Sequence, residues 1–360
     1  MKTELIGKSK IIISNPDGIH KYFAWPSAAR LQNGKIAIVC SGFRIGHICP
    51  FGKAVIVYSE DEGETYTAPA PVIDTILDDR DAGIAVIGEK DVVVTSFNLD
   101  WQCLKTYREW YKGYEEYVDG YVSLISDEDV KKTSASRFRV SHNCGMTFSE
   151  TYRSPVTSPH GPIELKDGSL LWVGRIYRDD NEHHSETDLA AYKIYLDGRC
   201  EFRGALGQTY EGDTPVFSCE PNAIELDDGT ILCHLRAHYK CMLGIYQTES
   251  KDGGKTWSKP HRITEWQEGA PAHLIKHSSG LLISTYGHRN GIDSGIRVMF
   301  SKDNGQTWDI GHVIFETDTG EDLGYPATVE LKDGSLLTVF YAHVAKDGPA
   351  VIMQQKWKIR

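Results

Sequence analysis

Short apolar runs separated by turns recur along the whole chain, and their spacing predicts strands rather than helices. The pattern Pro-x-x-x-x-Leu-x-x-Gly followed by an apolar run occurs at Pro26 to Gly34, Pro221 to Gly229 and Pro326 to Gly334, with looser versions at His160 to Gly168 and Pro271 to Gly280. Each copy reads as a strand, a tight turn carrying Asp-Gly, Asn-Gly or Ser-Gly, and a second strand such as Ser169-Leu170-Leu171-Trp172-Val173. The apolar stretch Asp81 to Ser96 fills the one gap in the spacing as a further hairpin without the proline.

A second repeat lies between these hairpins. The octet Ser-x-Asp-x-Gly-x-Thr-Trp is complete at Ser250 to Trp257 and Ser301 to Trp308. At Ser59 to Tyr66 tyrosine replaces the tryptophan, and at Ser141 to Phe148 Asn143 replaces the aspartate and Phe148 the tryptophan. The octet is a turn device: Asp or Asn accepts backbone N–H bonds, Gly takes a positive φ, and the aromatic packs underneath. Six hairpins with about 50 residues per unit predict an all-β, six-bladed β-propeller formed by residues 1–360 as a single domain. Its blades begin near residues 20, 71, 153, 211, 261 and 313. Leu5 to Ser14 has no blade of its own and is expected to pair with Ala350 to Lys358, closing the ring and covering an exposed edge. One stretch breaks the rhythm: residues 98–132 carry Trp101, Tyr107, Trp110, Tyr111, Tyr114, Tyr117 and Tyr121 at helical steps, a helical insertion in blade two. Its aromatic stripe suits packing on the propeller or on another subunit, giving a homo-oligomer, or a wall of a sugar pocket.

The octets match the Asp-box, or BNR repeat, of sialidases (neuraminidases), and the chain resembles that superfamily along nearly its whole length. The resemblance implies a pocket with three arginines for a carboxylate, a tyrosine nucleophile paired with a glutamate, and an aspartate acid/base. Tyr325 in Gly324-Tyr325-Pro326-Ala327 and Glu220 in Cys219-Glu220-Pro221-Asn222 stand at matching places ahead of inner strands. A phenol needs such a carboxylate, because its ordinary pKa near 10 makes it a poor nucleophile. Arg236 and Arg289, with Arg297 as the second choice for the latter, match two of the arginines. The first is absent: Phe23-Ala24-Trp25-Pro26 puts Trp25 at the pocket, and Arg44 and Arg80 are the candidates to compensate. His47, Asp81 and Asp79 are the acid/base candidates, while His160, His288, Arg175, Tyr177 and Arg178 add polar reach for sugar hydroxyls.

The expected activity is therefore exo-acting, retaining hydrolysis of a terminal acidic sugar from a glycan, with sialic acid, a uronic acid or a neutral deoxy sugar as candidate sugars. A polysaccharide lyase using His47 or Tyr325 and a glycan-binding propeller without catalysis are the alternatives. Composition narrows the rest. A net charge of −11 disfavours nucleic acid and anionic membranes. The eight cysteines form no C-x-x-C pair, and neither a metal nor a cofactor is indicated. The first residues lack the apolar core of a signal peptide, which predicts a cytoplasmic protein.

Overall fold

Why the inner hairpins form is visible in their burial: the second strand of blade one, Ile36–Arg44, is buried on both faces, as a strand flanked by neighbouring sheets must be. The computed structural model describes residues 1–177, 188–266, 269 and 271–360. They form six antiparallel sheets arranged as the blades of a propeller. Blade one runs from Tyr22–Arg30 to Ala70–Ile73 and blade two from Asp79–Ile87 to Tyr152–Ser154. Blade three follows from Val156–Thr157 to Cys200–Ala205, blade four from Thr209–Glu211 to His261–Arg262, and blade five from Ala272–Lys276 to Asp309–Glu316. Blade six is composite: Gly324–Glu330, Leu336–His343 and Ala350–Ile359 are completed by Thr3–Ile13, which pairs antiparallel with Ala350–Ile359.

The core is a set of apolar layers between neighbouring blades. Trp25, Ile38, Val339 and Tyr341 join blades six and one, and Phe138 and Trp172 join blades two and three. Phe300, Phe340 and Trp357 join blades five and six. The octets fold as the turn chemistry requires. In the first, Asp61 accepts from the backbone N–H of Thr65 at 2.9 Å and from its hydroxyl at 2.6 Å, while the Gly63 N–H donates to Ser59 Oγ at 2.8 Å. Gly63 sits at φ 82°, where a side chain would be strained.

The insertion is helical and lies between the second and third strands of blade two: Trp101–Thr106, Glu115–Val122 and Asp127–Thr133, with a 3₁₀ turn at Arg108–Tyr111. It buries Trp101, Leu104, Tyr111 and Val118 against Ile48 and Leu77, while Tyr107, Trp110 and Tyr117 of its aromatic stripe stay exposed. Trp110 also covers His47, with ring centroids 4.7 Å apart.

Trp357 is fully buried in the layer between blades five and six, and its indole N–H donates to Thr338 Oγ1 at 2.8 Å. Trp357→Ala is expected to cost roughly 3–5 kcal/mol by opening a cavity in that layer. Guanidinium denaturation of the two proteins measures the difference.

Candidate active site

Four blades present one side chain each through the same backbone irregularity. Trp25, Asp81, Glu220 and Tyr325 have φ of 53°, 46°, 49° and 48°, the left-handed region that non-glycine residues rarely occupy. Each coincides with a register break in the inner hairpin, between Ala24 and Ser27, Arg80 and Gly83, Cys219 and Asn222, and Gly324 and Ala327. Three of the four are followed by Pro26, Pro221 or Pro326, a residue with no N–H to lose from an interrupted ladder. Such backbone costs on the order of 1–3 kcal/mol per residue and persists where surrounding packing fixes it.

Blades four and six meet here. The Tyr325 hydroxyl donates to Glu220 Oε1 at 2.5 Å. Arg236 Nη1 donates to both Glu220 oxygens, at 3.0 and 2.8 Å, and to Tyr325 Oη at 3.1 Å. The Arg289 guanidinium stands 5.6 Å from the centre of the Tyr325 ring. Burial works against the Glu220 carboxylate, but the Arg236 charge and the bonds from Tyr325 and Arg236 outweigh it and hold the carboxyl below its ordinary range. Burial, reinforced by the negative Glu220, pushes the Tyr325 phenol well up. The resting pair is thus a neutral phenol and a carboxylate. Arg236 Nε and Arg289 Nε and Nη2 are buried and have no acceptor among the described residues.

Asp81 lines a cavity of about 360 Å³ together with Glu220 and Arg236. Burial, with the Glu220 charge adding to it and Arg80 opposing it, pushes its carboxyl up to about 7. Its Oδ1 is buried and has no donor among the described residues. Arg175, Tyr177 and Phe217 line the same cavity.

Other expected site residues are placed elsewhere. Arg44 is not a substrate ligand: its N–H groups all go to the protein, to Gly46 and His47 carbonyls, Ser41 and a bidentate Asp78. Trp25, expected at the pocket, is 1% exposed beneath Arg80 and Arg44, whose guanidinium carbons lie 4.0 and 4.8 Å from its ring. Arg80 donates to the His47 carbonyl at 2.8 Å, so it too is engaged within the protein. His160 is corrected from a pocket residue to a buried one, packed on His273 and Ser27 and absent from the cavity wall. His288 faces Asp293 at 3.3 Å, and Arg297 is held by Asp293 and Glu316. Asp79 is fully buried and bonded to Thr75 and Asn98. Arg178 lies outside the described residues.

His47 leads to a residue that sequence reasoning missed. Its Nδ1 lies 3.1 Å from both Asp322 and Tyr22, and its Nε2 faces Arg80 at 3.5 Å. Asp322 also takes the Tyr22 hydroxyl at 2.7 Å, the Tyr341 hydroxyl at 2.9 Å and His343 Nε2 at 2.9 Å. Against the effect of burial, bonds from His343, His47 and Tyr22 hold the Asp322 carboxyl far below its usual range. Burial lowers His47 despite Asp322, and the Arg80 charge adds to the lowering, so the imidazole is neutral near pH 7. Asp322 stands three positions ahead of Tyr325 in no motif, and that proximity was its one signal.

The propeller fold has known counterparts. The model of the BNR repeat-like domain family matches residues 119–338, and the chain belongs to that family. Its fold is that of the sialidase superfamily. A protein of unknown function from Dyadobacter fermentans superposes with a TM-score of 0.75 at 18% identity, covering 99% of each chain. The NanB sialidase of Streptococcus pneumoniae gives 0.69 at 14%, covering 98% of this chain and 71% of that one. An α-L-arabinanase of Penicillium chrysogenum gives 0.62 at 13%, covering 98% of each. At such identities the likeness is one of fold. No curated protein sequence matches.

A carboxyl raised to about 7 in the folded state, against about 3.9 unfolded, binds its proton more tightly when folded. Its stabilising contribution is complete below about pH 4 and is lost as pH rises through about 7. Asp81→Asn is therefore expected to stabilise the protein more at about pH 8 than at about pH 5. Denaturant unfolding of both proteins at the two pH values checks the sign.

Proposed function

We propose that the protein is an exo-acting glycoside hydrolase that removes a terminal acidic sugar with retention of configuration. The observation that carries this reading is the Tyr325 hydroxyl donating to Glu220 at 2.5 Å while Arg236 bonds both. In the first step Tyr325 Oη attacks the anomeric carbon and its proton passes to Glu220. Asp81, protonated below about pH 7, gives its proton to the leaving oxygen. In the second step the Asp81 carboxylate takes a proton from water, which displaces the tyrosine, and Glu220 returns the proton to the phenolate. A neutral tyrosine approaches an anionic sugar without the repulsion a carboxylate nucleophile would meet, and sialidases use a tyrosine nucleophile where most glycosidases use a carboxylate. The unpartnered donors of Arg236 and Arg289 support a carboxylate on that sugar, since buried N–H groups without acceptors are costly.

Tyr325→Phe is expected to lose about a thousandfold or more in kcat on a panel of aryl glycosides of sialic and uronic acids. Nuclear magnetic resonance of the first-formed sugar reads retention. Inversion, an unsaturated product absorbing in the ultraviolet, or binding without turnover in the wild type would each overturn the reading.

Arg289→Gln is expected to raise KM for acidic substrates by roughly thirtyfold, about 2 kcal/mol, through loss of a desolvated carboxylate contact. Asp81→Asn is expected to remove the fall in rate above about pH 7. Its loss in kcat, on the order of 10²–10⁴ for sugar leaving groups, shrinks for a nitrophenolate that needs no proton.

A further inference from the structure

Two imidazoles share the Asp322 carboxylate, and their second nitrogens face partners of opposite kind. His47 turns Nδ1 to Asp322 at 3.1 Å and Nε2 to the Arg80 guanidinium at 3.5 Å. A guanidinium can only donate, so that nitrogen is bare and the ring neutral. His343 turns Nε2 to Asp322 at 2.9 Å and Nδ1 to the Gly348 carbonyl at 2.6 Å. Both of these partners only accept, so each ring nitrogen must carry a proton. Bonds to Asp322 and to the Gly348 carbonyl outweigh burial and raise the His343 imidazole above its ordinary value.

The place of this cation in the chain gives it a task. His343 ends the strand Leu336–His343, and the Gly348 carbonyl belongs to the turn between that strand and Ala350–Ile359. Asp322 belongs to the segment that leads from blade five into Gly324–Glu330 and so to Tyr325. The same segment is tied to His343 a second time, since the Thr319 hydroxyl donates to the His343 carbonyl at 3.0 Å. The phenols around Asp322 carry no charge of their own: burial, with Asp322 adding to it, pushes both Tyr22 and Tyr341 well up. Lys346 and Asp347 precede Gly348 in the turn itself. A neutral His343 would set a bare nitrogen against an oxygen lone pair, at Gly348 or at Asp322, and could hold one of the two segments but not both.

We infer that His343 is a standing imidazolium and a positioning residue: it clasps the segment before Tyr325 to the turn after its own strand and so keeps the phenol aligned with Glu220. The clasp itself is independent of the reaction, whereas its effect on turnover rests on the hydrolase reading. Because the folded ring holds its proton more tightly than the ring of the unfolded chain, the clasp stabilises fully below about pH 6.5 and fades as pH rises through the raised folded value.

Nitrogen-15 resonance of the imidazoles in the substrate-free protein reads the two rings directly. His343 is expected to titrate above the ordinary value of about 6.5 and His47 below it. A His343 midpoint below that value, or a bare His343 nitrogen at about pH 6, overturns the inference. Asp322→Asn is expected to lower the His343 midpoint by about one unit or more, and an unmoved midpoint overturns the pairing. On aryl glycosides at one fixed pH, His343→Gln is expected to lower kcat roughly tenfold with KM little changed, and His343→Lys, which keeps a charge against Asp322, to restore part of the loss. An unchanged kcat in His343→Gln overturns the positioning role while turnover still upholds the hydrolase reading. If wild type turns over no aryl glycoside, that reading falls and hydrogen exchange judges the clasp: amides of residues 317–323 are expected to exchange about tenfold faster in His343→Gln than in wild type at the same pH, and equal rates overturn it. Should the variants fail to fold, the wild-type His343 midpoint still decides.

Discussion

A carboxylate sunk beside a phenol and shut from water is unstable unless a fixed cation offsets the loss of hydration, and Arg236 is that cation. Burial of Glu220 alone would drive it to take up a proton, leaving Tyr325 no base. With Arg236 bonded to both carboxylate oxygens and to the phenol, the proton rests on the tyrosine and has a place to go when the oxygen attacks. The pair comes from blades four and six, so its geometry depends on how those blades are spaced around the axis. That spacing is set by the apolar layers between blades, which gives the core a direct part in holding the chemistry.

Trp25 changes what such a pocket accepts. Where the related pocket would carry a first arginine, this chain puts an indole and clamps it with Arg80 and Arg44. The positive charge is kept nearby but is turned to the ring, to Asp78 and to the His47 backbone. Asp322 ties this arrangement to blade six by collecting Tyr22, His47, Tyr341 and His343. The result is a buried Trp25 in blade one and a cavity lined by blades two, three and four.

Much of the architecture was legible because it is written locally. The octets and the Asp-Gly, Asn-Gly and Ser-Gly hairpins encode turns within a few residues, and their spacing counts the blades. Tyr325 and Glu220 were legible through the resemblance to sialidases, whose tyrosine–glutamate pair they match at equivalent places ahead of inner strands. Asp322 was not, since its partners Tyr22 and His47 lie 300 and 275 positions away and no local pattern records such a meeting. Arg44 misled for the same reason: an arginine at a strand end looks available until Asp78 is found beside it. Trp25 was expected at the pocket because residue type shows chemistry and not burial.

The composite sixth blade bears on how the chain acquires its shape during synthesis. Thr3–Ile13 emerges before any other strand of the ring and must wait for Ala350–Ile359, which pairs on its other side with Leu336–His343. Until then blade six lacks its outermost strand. A product terminated before Gly324–Glu330 would lack Tyr325, and one terminated before Ala350–Ile359 would leave Thr3–Ile13 without its partner strand.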